Sequence, residues 1–446
     1  MHFLFYLVLI FLTTECRRNY SGYRVAVITT NDPRNLDMLL NWRKSGIDFW
    51  SGINTIGLPM TVMVPPYLHK DFYAYLESNS IPFEERILNL EKLFEREELR
   101  QRAAQGLERS RRKSSRNDFD FAYYWTPDII NDYLWSLSED YNKLIKVKKA
   151  EKSYEGHDIL VVRISNSSFD GTKPKIFIDA GTHAREWIAP MVAVYLIYEL
   201  VENSDENTDL LACDWIIIPC VNPDGYQYSH DNDRLWKKTR SFNEDSPNCF
   251  GVDVNRNYDY RWGYGSSSFN EINPCNESYP GPDPFSEIET ETVAKEMKKE
   301  GDGIDLYISF HSYGNFLVYP WSYDKRIPHD NQEELEKLGN IIAYAIYSGT
   351  ERNYTVGNSA TLLSPASGTS EDYASGRMDI DLSYTLYLPG GGKHGFDLPG
   401  DQIAMVSNEV LVGLKAAVEY IEKIDSDKFN IIYRMRTLTR SIEDYY

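Results

Sequence analysis

Three side chains able to hold a metal ion stand at the ends of two apolar runs. KIFIDAGTH, residues 175–183, finishes on His183, with Glu186 three residues further on, and DLYISFH, residues 305–311, finishes on His311. Imidazole and carboxylate are zinc-type ligands, and a His-x-x-Glu turn sets the pair on one side of a strand end. Alone, such a pair is more often structural than metal-binding. The third residue changes the reading: two histidines and one glutamate leave a fourth position open to water, the arrangement of a hydrolytic centre. Between them, Asn255-Arg256 in GVDVNRNYDY sets an amide beside a guanidinium. A planar fork suits the terminal carboxylate of a peptide, although a plain surface arginine would look the same in isolation.

The elements that must position these groups alternate in type from residue 126 onward. TPDIINDYLWSLSEDY, EWIAPMVAVYLIYELVEN, LGNIIAYAIYSGT and IAMVSNEVLVGLKAAVEYIEK read as helices; KIFIDAGTH, WIIIPCV, DLYISFH and SYTLYL read as strands. Nearly continuous apolar strands between helices predict an α/β domain whose mixed β-sheet is covered by helices. In such sheets, sites gather at strand carboxyl ends, where His183 and His311 stand. Upstream, GYRVAVITT, LPMTVMVPP and IPFEERIL read as strands, with LDMLLNWRKSG and YLHKDFYAYLESNSI as helices: a small α+β unit of about 90 residues. A charged helix, LEKLFEREELRQRAAQGLERSRRK, follows, rich in i,i+4 pairs. It runs into a basic cluster holding Arg109 and Arg112. A solvated helix end would carry such charge, but an exposed polar linker between two folded units is also where processing proteases cut. No internal repeat is visible, and residues 424–446 form a polar tail.

Composition narrows the classes. Of 446 residues, 47 are Lys or Arg against 67 Asp or Glu, a net charge of −20, which argues against nucleic acid and against adsorption to anionic lipid. Residues 3–12, FLFYLVLIFL, are too short to span a bilayer and fit the apolar core of a secretory signal, despite the lack of Lys or Arg before them. No later run is long enough for a membrane helix, so a secreted, extracellular protein is expected. Cys213 and Cys220 bracket one apparent strand, too far apart when extended to bridge, and read as buried thiols. Cys249 and Cys275 flank a loop and are the best disulfide candidates; Cys16 lies near the expected signal cut. Sequons at Asn19, Asn166, Asn276 and Asn353 allow glycosylation.

The chain resembles the secreted zinc metallocarboxypeptidases of the pancreatic A/B type. The matching stretches are GTHAREW, NPDGY, RLWKKTRS, GVDVNRN, ISFHSYG and KHGFDLP; DFWSG, GLPMTVMVPP and YLESNSIPF resemble the activation prosegment. The resemblance covers about residues 20–423. It implies a signal peptide over 1–15, a prosegment over 16–112, a zinc carboxypeptidase-like domain over 113–423 and the tail beyond. It implies one zinc ion on His183, Glu186 and His311, with Asp253 orienting a ligand histidine. Asn255 and Arg256 would hold the substrate's terminal carboxylate; Arg185, Tyr313 and Phe396 would line the outer cleft. Cys249–Cys275 matches the family disulfide. The prosegment would cap the cleft until cut near Arg112, and a monomer binding peptide or protein C-termini is expected.

Three departures bear on catalysis. The family's catalytic glutamate lies nine residues before the Gly-Phe phenylalanine; nine before Phe396 is Tyr387, and no acid precedes it nearer than Asp381. The arginine that polarises the scissile carbonyl reads Lys237. The mobile capping tyrosine reads Ser364. A general base contributes about 10²- to 10⁴-fold, and a phenol of ordinary pKa near 10 is a poor substitute. The position that sets side-chain preference in the family holds Glu371, suited to a terminal Lys or Arg. The expectation is therefore a zinc-binding protein that holds peptide C-termini with little or no catalysis. The alternatives are an active carboxypeptidase releasing Lys or Arg, and a structural or storage protein.

Overall fold

The computed structural model describes residues 17–51, 57, 59–111, 119–264, 273–301, 303–390 and 395–443. The apolar leader, Cys16 and Arg112 lie outside them, as does the side chain of Arg109.

Strands β1 (Arg24–Ile28), β2 (Asp48–Ser51), β3 (Met60–Val64) and β4 (Phe83–Ile87) form an antiparallel sheet in the order β2-β3-β1-β4. Side chains alternate across a strand, and the sheet uses both faces. Ala26, Ile28, Val62 and Val64 pack on Leu36 and Leu39 of α1 (Pro33–Asn41) and on Phe72 and Leu76 of α2 (His69–Ser78). Asp32 starts α1 by accepting from the Arg34 N–H at 2.9 Å, with Pro33 in the first turn. The opposite parity, Val25 and Met63, joins Trp50, Ile87 and Phe94 against Leu235 and Phe396 of the larger unit. Helix α3 (Leu90–Arg111) carries Ala104 into that unit's main core.

The larger unit is built on an eight-stranded sheet among the described residues. Its strands are β5 (Ile145–Lys152), β6 (Asp158–Ile164), β7 (Lys175–Ala180), β8 (Asp214–Ile218), β9 (Leu306–Ser312), β10 (Phe316–Tyr319), β11 (Thr355–Asn358) and β12 (Ser383–Leu388), in the order β11-β10-β12-β9-β7-β8-β6-β5. The four central strands β12, β9, β7 and β8 are parallel, while β5–β6, β6–β8 and β10–β12 pair antiparallel, so the sheet is mixed as expected. Flanking it are α4 (Pro127–Asp140), α5 (Ile188–Val201), α6 (Pro223–Asp231), α7 (Ile288–Glu300), α8 (Gln332–Thr350), α9 (Ser370–Met378) and α10 (Ile403–Glu443).

Burial on both faces explains the near-continuous apolar strands. Even-numbered residues of β7, β9 and β12 (Ile176, Ile178, Leu306, Ile308, Phe310, Tyr384, Leu386) enter one layer with α4, α5, α8 and α10. Phe177 and Tyr307 enter the other with α7 and α9. The sequence reading missed β2, β5, β6, β10 and β11. In β5, IKVKKAEK, only Ile145 is buried; a charged edge strand protects the sheet but hides the period-two signal. Residues 424–443, set off as a tail, continue the backbone of α10. Among the described residues, no helix is long and apolar enough to cross a membrane.

Candidate functional site

The carboxyl ends of β7, β9 and β12 meet at one edge. His183 lies three residues past β7. His311 is on the last turn of the β9 pleat, on the same face as Tyr307 and Ser309, and Tyr387 of β12 is its direct register partner. Gly181 allows the sharp exit from β7 with φ +70; a Cβ there would meet the Cys220 backbone at 3.1 Å. Glu186 sits just before α5, where its backbone carbonyl accepts from Ala189 at 3.0 Å.

The three expected ligands converge. Glu186 Oε1 lies 2.8 Å from His183 Nδ1, and Oε2 lies 2.9 Å from His311 Nδ1. All three side chains are buried, and their donor atoms lie within 4.8 Å of one another. Oε2 also accepts the Ser312 N–H at 3.0 Å. His183 Nε2 is 2.9 Å from Asp253 Oδ1; a proton donated there would leave Nδ1 available to a metal. Two Nδ1 atoms and a carboxylate aimed at one point fit zinc well.

Asp253 opens the one-turn segment 254–256: its Oδ1 accepts the Asn255 N–H at 3.1 Å. Asn255 is pinned in turn, its Oδ1 accepting from Ser370 N–H at 2.8 Å, and Arg256 Nη1 donates to the Asn255 carbonyl at 2.7 Å. His183, Glu186, Asn255, Arg256, Lys237, Ser364, Glu371, Tyr387, Tyr313 and Phe396 line one cleft of about 820 Å³, with His311 buried behind its wall. Tyr387 is half-buried there, its ring 5.5 Å from that of His311. Burial first, then Glu371 and Glu186, push its phenol far above the usual range. Lys237 does not point free into the cleft; its ammonium donates to Asp253 Oδ2 at 2.5 Å. The Ser364 hydroxyl is buried and finds no hydrogen-bond partner among the described residues.

Glu371, in the first turn of α9, is 3% exposed. Its Oε1 accepts from the hydroxyls of Ser322 and Ser359, while Oε2 is buried with no donor among the described residues. Sequence reasoning missed both serines, and nothing local to them signals the contact. Asp372 beside it accepts the backbone N–H groups of Ser322 and Tyr323, fixing the floor.

The outer cleft is covered by the small unit. Asp48 takes Arg185 Nη1 at 3.0 Å, Trp50 packs its ring 5.4 Å from Phe396, and Arg185 lies over that same ring at 4.4 Å. Glu97 of α3 meets Arg234 at 3.2 Å, and Tyr20 and Arg18 both reach Asp233. None of these cross-unit pairs was foreseen. Cys249 and Cys275 are bridged, and Cys213 and Cys220 are buried free thiols.

Sheet, strand-end ligands and capping unit together define a class, and comparison with known families agrees. The zinc carboxypeptidase model matches residues 130–413 and the carboxypeptidase activation peptide model residues 26–97. The chain belongs to the zinc carboxypeptidase family and carries its own activation peptide. It is 34% identical to carboxypeptidase B of Helicoverpa zea over 444 residues, 95% of this chain and 100% of that one. With carboxypeptidase B of Astacus astacus it shares 36% identity over 304 residues, 68% of this chain and 98% of the relative. The crystal structure of the carboxypeptidase A from Helicoverpa armigera superposes with a TM-score of 0.82 at 28% identity, over 90% of this chain and 98% of that one.

Proposed function

We propose that this protein is a secreted, glycosylated, single-zinc member of the family that holds peptide C-termini, prefers a basic last residue, and hydrolyses peptides poorly or not at all. Zinc on His183, Glu186 and His311 would supply Lewis acidity to a bound carbonyl. Asn255 and Arg256 would take the terminal carboxylate, and the lone Oε2 of Glu371 would take a Lys or Arg head group, since a buried carboxylate oxygen without a donor favours a cation. Cutting near Arg109 and Arg112 would open the outer cleft by freeing Arg185 and Phe396 from Asp48 and Trp50. The exposed Asn19, Asn166 and Asn353 suit glycosylation.

The observation that carries the loss of catalysis is the place of Tyr387 beside His311. A phenol held protonated cannot accept the proton of an attacking water at neutral pH, which forfeits about 10²- to 10⁴-fold. Lys237, engaged by Asp253, is also withdrawn from a peptide carbonyl; a lost donor of that kind costs about 10²- to 10³-fold, and the two losses need not multiply. The intact ligand set, and two relatives that are carboxypeptidases B by name, favour an active enzyme as the second reading.

Hydrolysis of a peptide ending in Lys by the processed, zinc-loaded protein, with Tyr387→Glu beside it, decides. A silent wild type that binds the peptide, with a variant that cleaves, is expected. Wild-type cleavage at the variant's rate would make this a working carboxypeptidase. Zinc binding without peptide affinity would leave the structural or storage role.

A further inference from the structure

Lys237 is tied to the metal loop twice. Its backbone carbonyl accepts the Ala184 N–H at 3.0 Å, between His183 and Glu186. Its ammonium, on a side chain only 10% exposed, donates to Asp253 Oδ2. The other oxygen of Asp253 meets His183 Nε2 at 2.9 Å and the Asn255 N–H at 3.1 Å. Asp253 is fully buried. A buried carboxylate stripped of its cation is strongly destabilised and reorients toward other partners.

We infer that Lys237 is a positioning residue of the metal centre: by holding Asp253, it fixes the ring of His183 for its metal bond, and it does not serve the bound peptide. It rests on the proposed function only in taking zinc as the metal. The sign of one effect separates the two roles. A cation that merely faced the cleft would repel the metal, so its removal would raise zinc affinity or leave it unchanged. Loss of a group that orients a ligand histidine instead lowers affinity by about 10- to 100-fold.

The test is chelator competition for zinc on the full-length chain, with the thermal midpoint of the metal-free protein as the control for folding. Lys237→Met is expected to fold with a lowered metal-free midpoint and, while folded, to bind zinc about 10- to 100-fold more weakly, and Lys237→Arg, which keeps a cation for Asp253, to recover most of both losses. Unchanged or raised affinity in Lys237→Met overturns the inference. Should that variant not fold, Asp253→Asn and Asp253→Asn/Lys237→Met decide, because neither leaves a buried unpaired carboxylate. Equal zinc affinity of the two is expected, and a further tenfold drop in the double variant, at roughly the scale of a separate contribution, overturns it. Peptide cleavage by the wild type would overturn the proposed function and leave this comparison intact.

Discussion

Glu371 and Arg256 are expected to divide the work of recognition, one reading the terminal side chain and the other the carboxylate every peptide has. Charged hydrogen bonds contribute about 1.5–3 kcal/mol. Glu371→Gln should thus weaken binding of a peptide ending in Arg by about 10- to 100-fold and leave one ending in Leu nearly unchanged; Arg256→Gln should weaken both alike. Titration calorimetry with the two peptides checks this, and equal losses in Glu371→Gln would remove the basic preference. The convergence of His183, Glu186 and His311 was legible because each ends or follows an apolar run, a position sequence can show. The surroundings of Glu371 were not: Ser322 lies 49 residues away. The Lys237–Asp253 contact was equally hidden, since residue type alone made Lys237 a weaker arginine.

Among the elements, the central strands could be read from their unbroken apolar runs, whereas β5 could not, because its outward Lys and Glu mask the alternation. The docking of α3 was also invisible, and it carries a pH dependence. Asp397, next to Phe396, is pushed up to about 8 by burial first and then by Glu97, against the pull of Arg234 and Arg100. Glu97 itself is raised by burial, with Arg234 drawing it down. Undocking returns water to both carboxyls and lowers them toward the ordinary range. The docked state therefore binds protons more tightly: docking is strongest at low pH and is lost progressively as pH rises through about 8. After cleavage at the basic cluster, gel filtration should find more released activation peptide at about pH 9 than at about pH 6. Release that falls with rising pH would contradict this. Trp50→Ala, which deletes a buried aromatic contact to Phe396, should increase release at either pH.

For the whole molecule, two folded units joined by a charged helix were legible from composition and pattern, but their mutual fit was not. It depends on pairs such as Asp48–Arg185 and Glu97–Arg234 that join residues 137 apart in each case. Metal binding couples to this scale as well, because it favours the folded chain alone. At free zinc about 100 times Kd the folded state gains about 2.7 kcal/mol. A chelator should therefore lower the thermal midpoint of the larger unit, and zinc should restore it. A midpoint indifferent to zinc would mean that His183, Glu186 and His311 hold none.

The strict alternation in β9 has a consequence for inheritance. Tyr307, Ser309 and His311 share one side of the sheet, and Leu306, Ile308 and Phe310 the other. Deleting one codon between Tyr307 and His311 must turn one end of the strand over, burying the imidazole among aliphatic side chains or turning the tyrosine out of its layer. Deleting two keeps the parity and merely shortens the reach. In this stretch of the gene, an odd in-frame loss should be far more damaging than an even one, although the smaller deletion removes less protein.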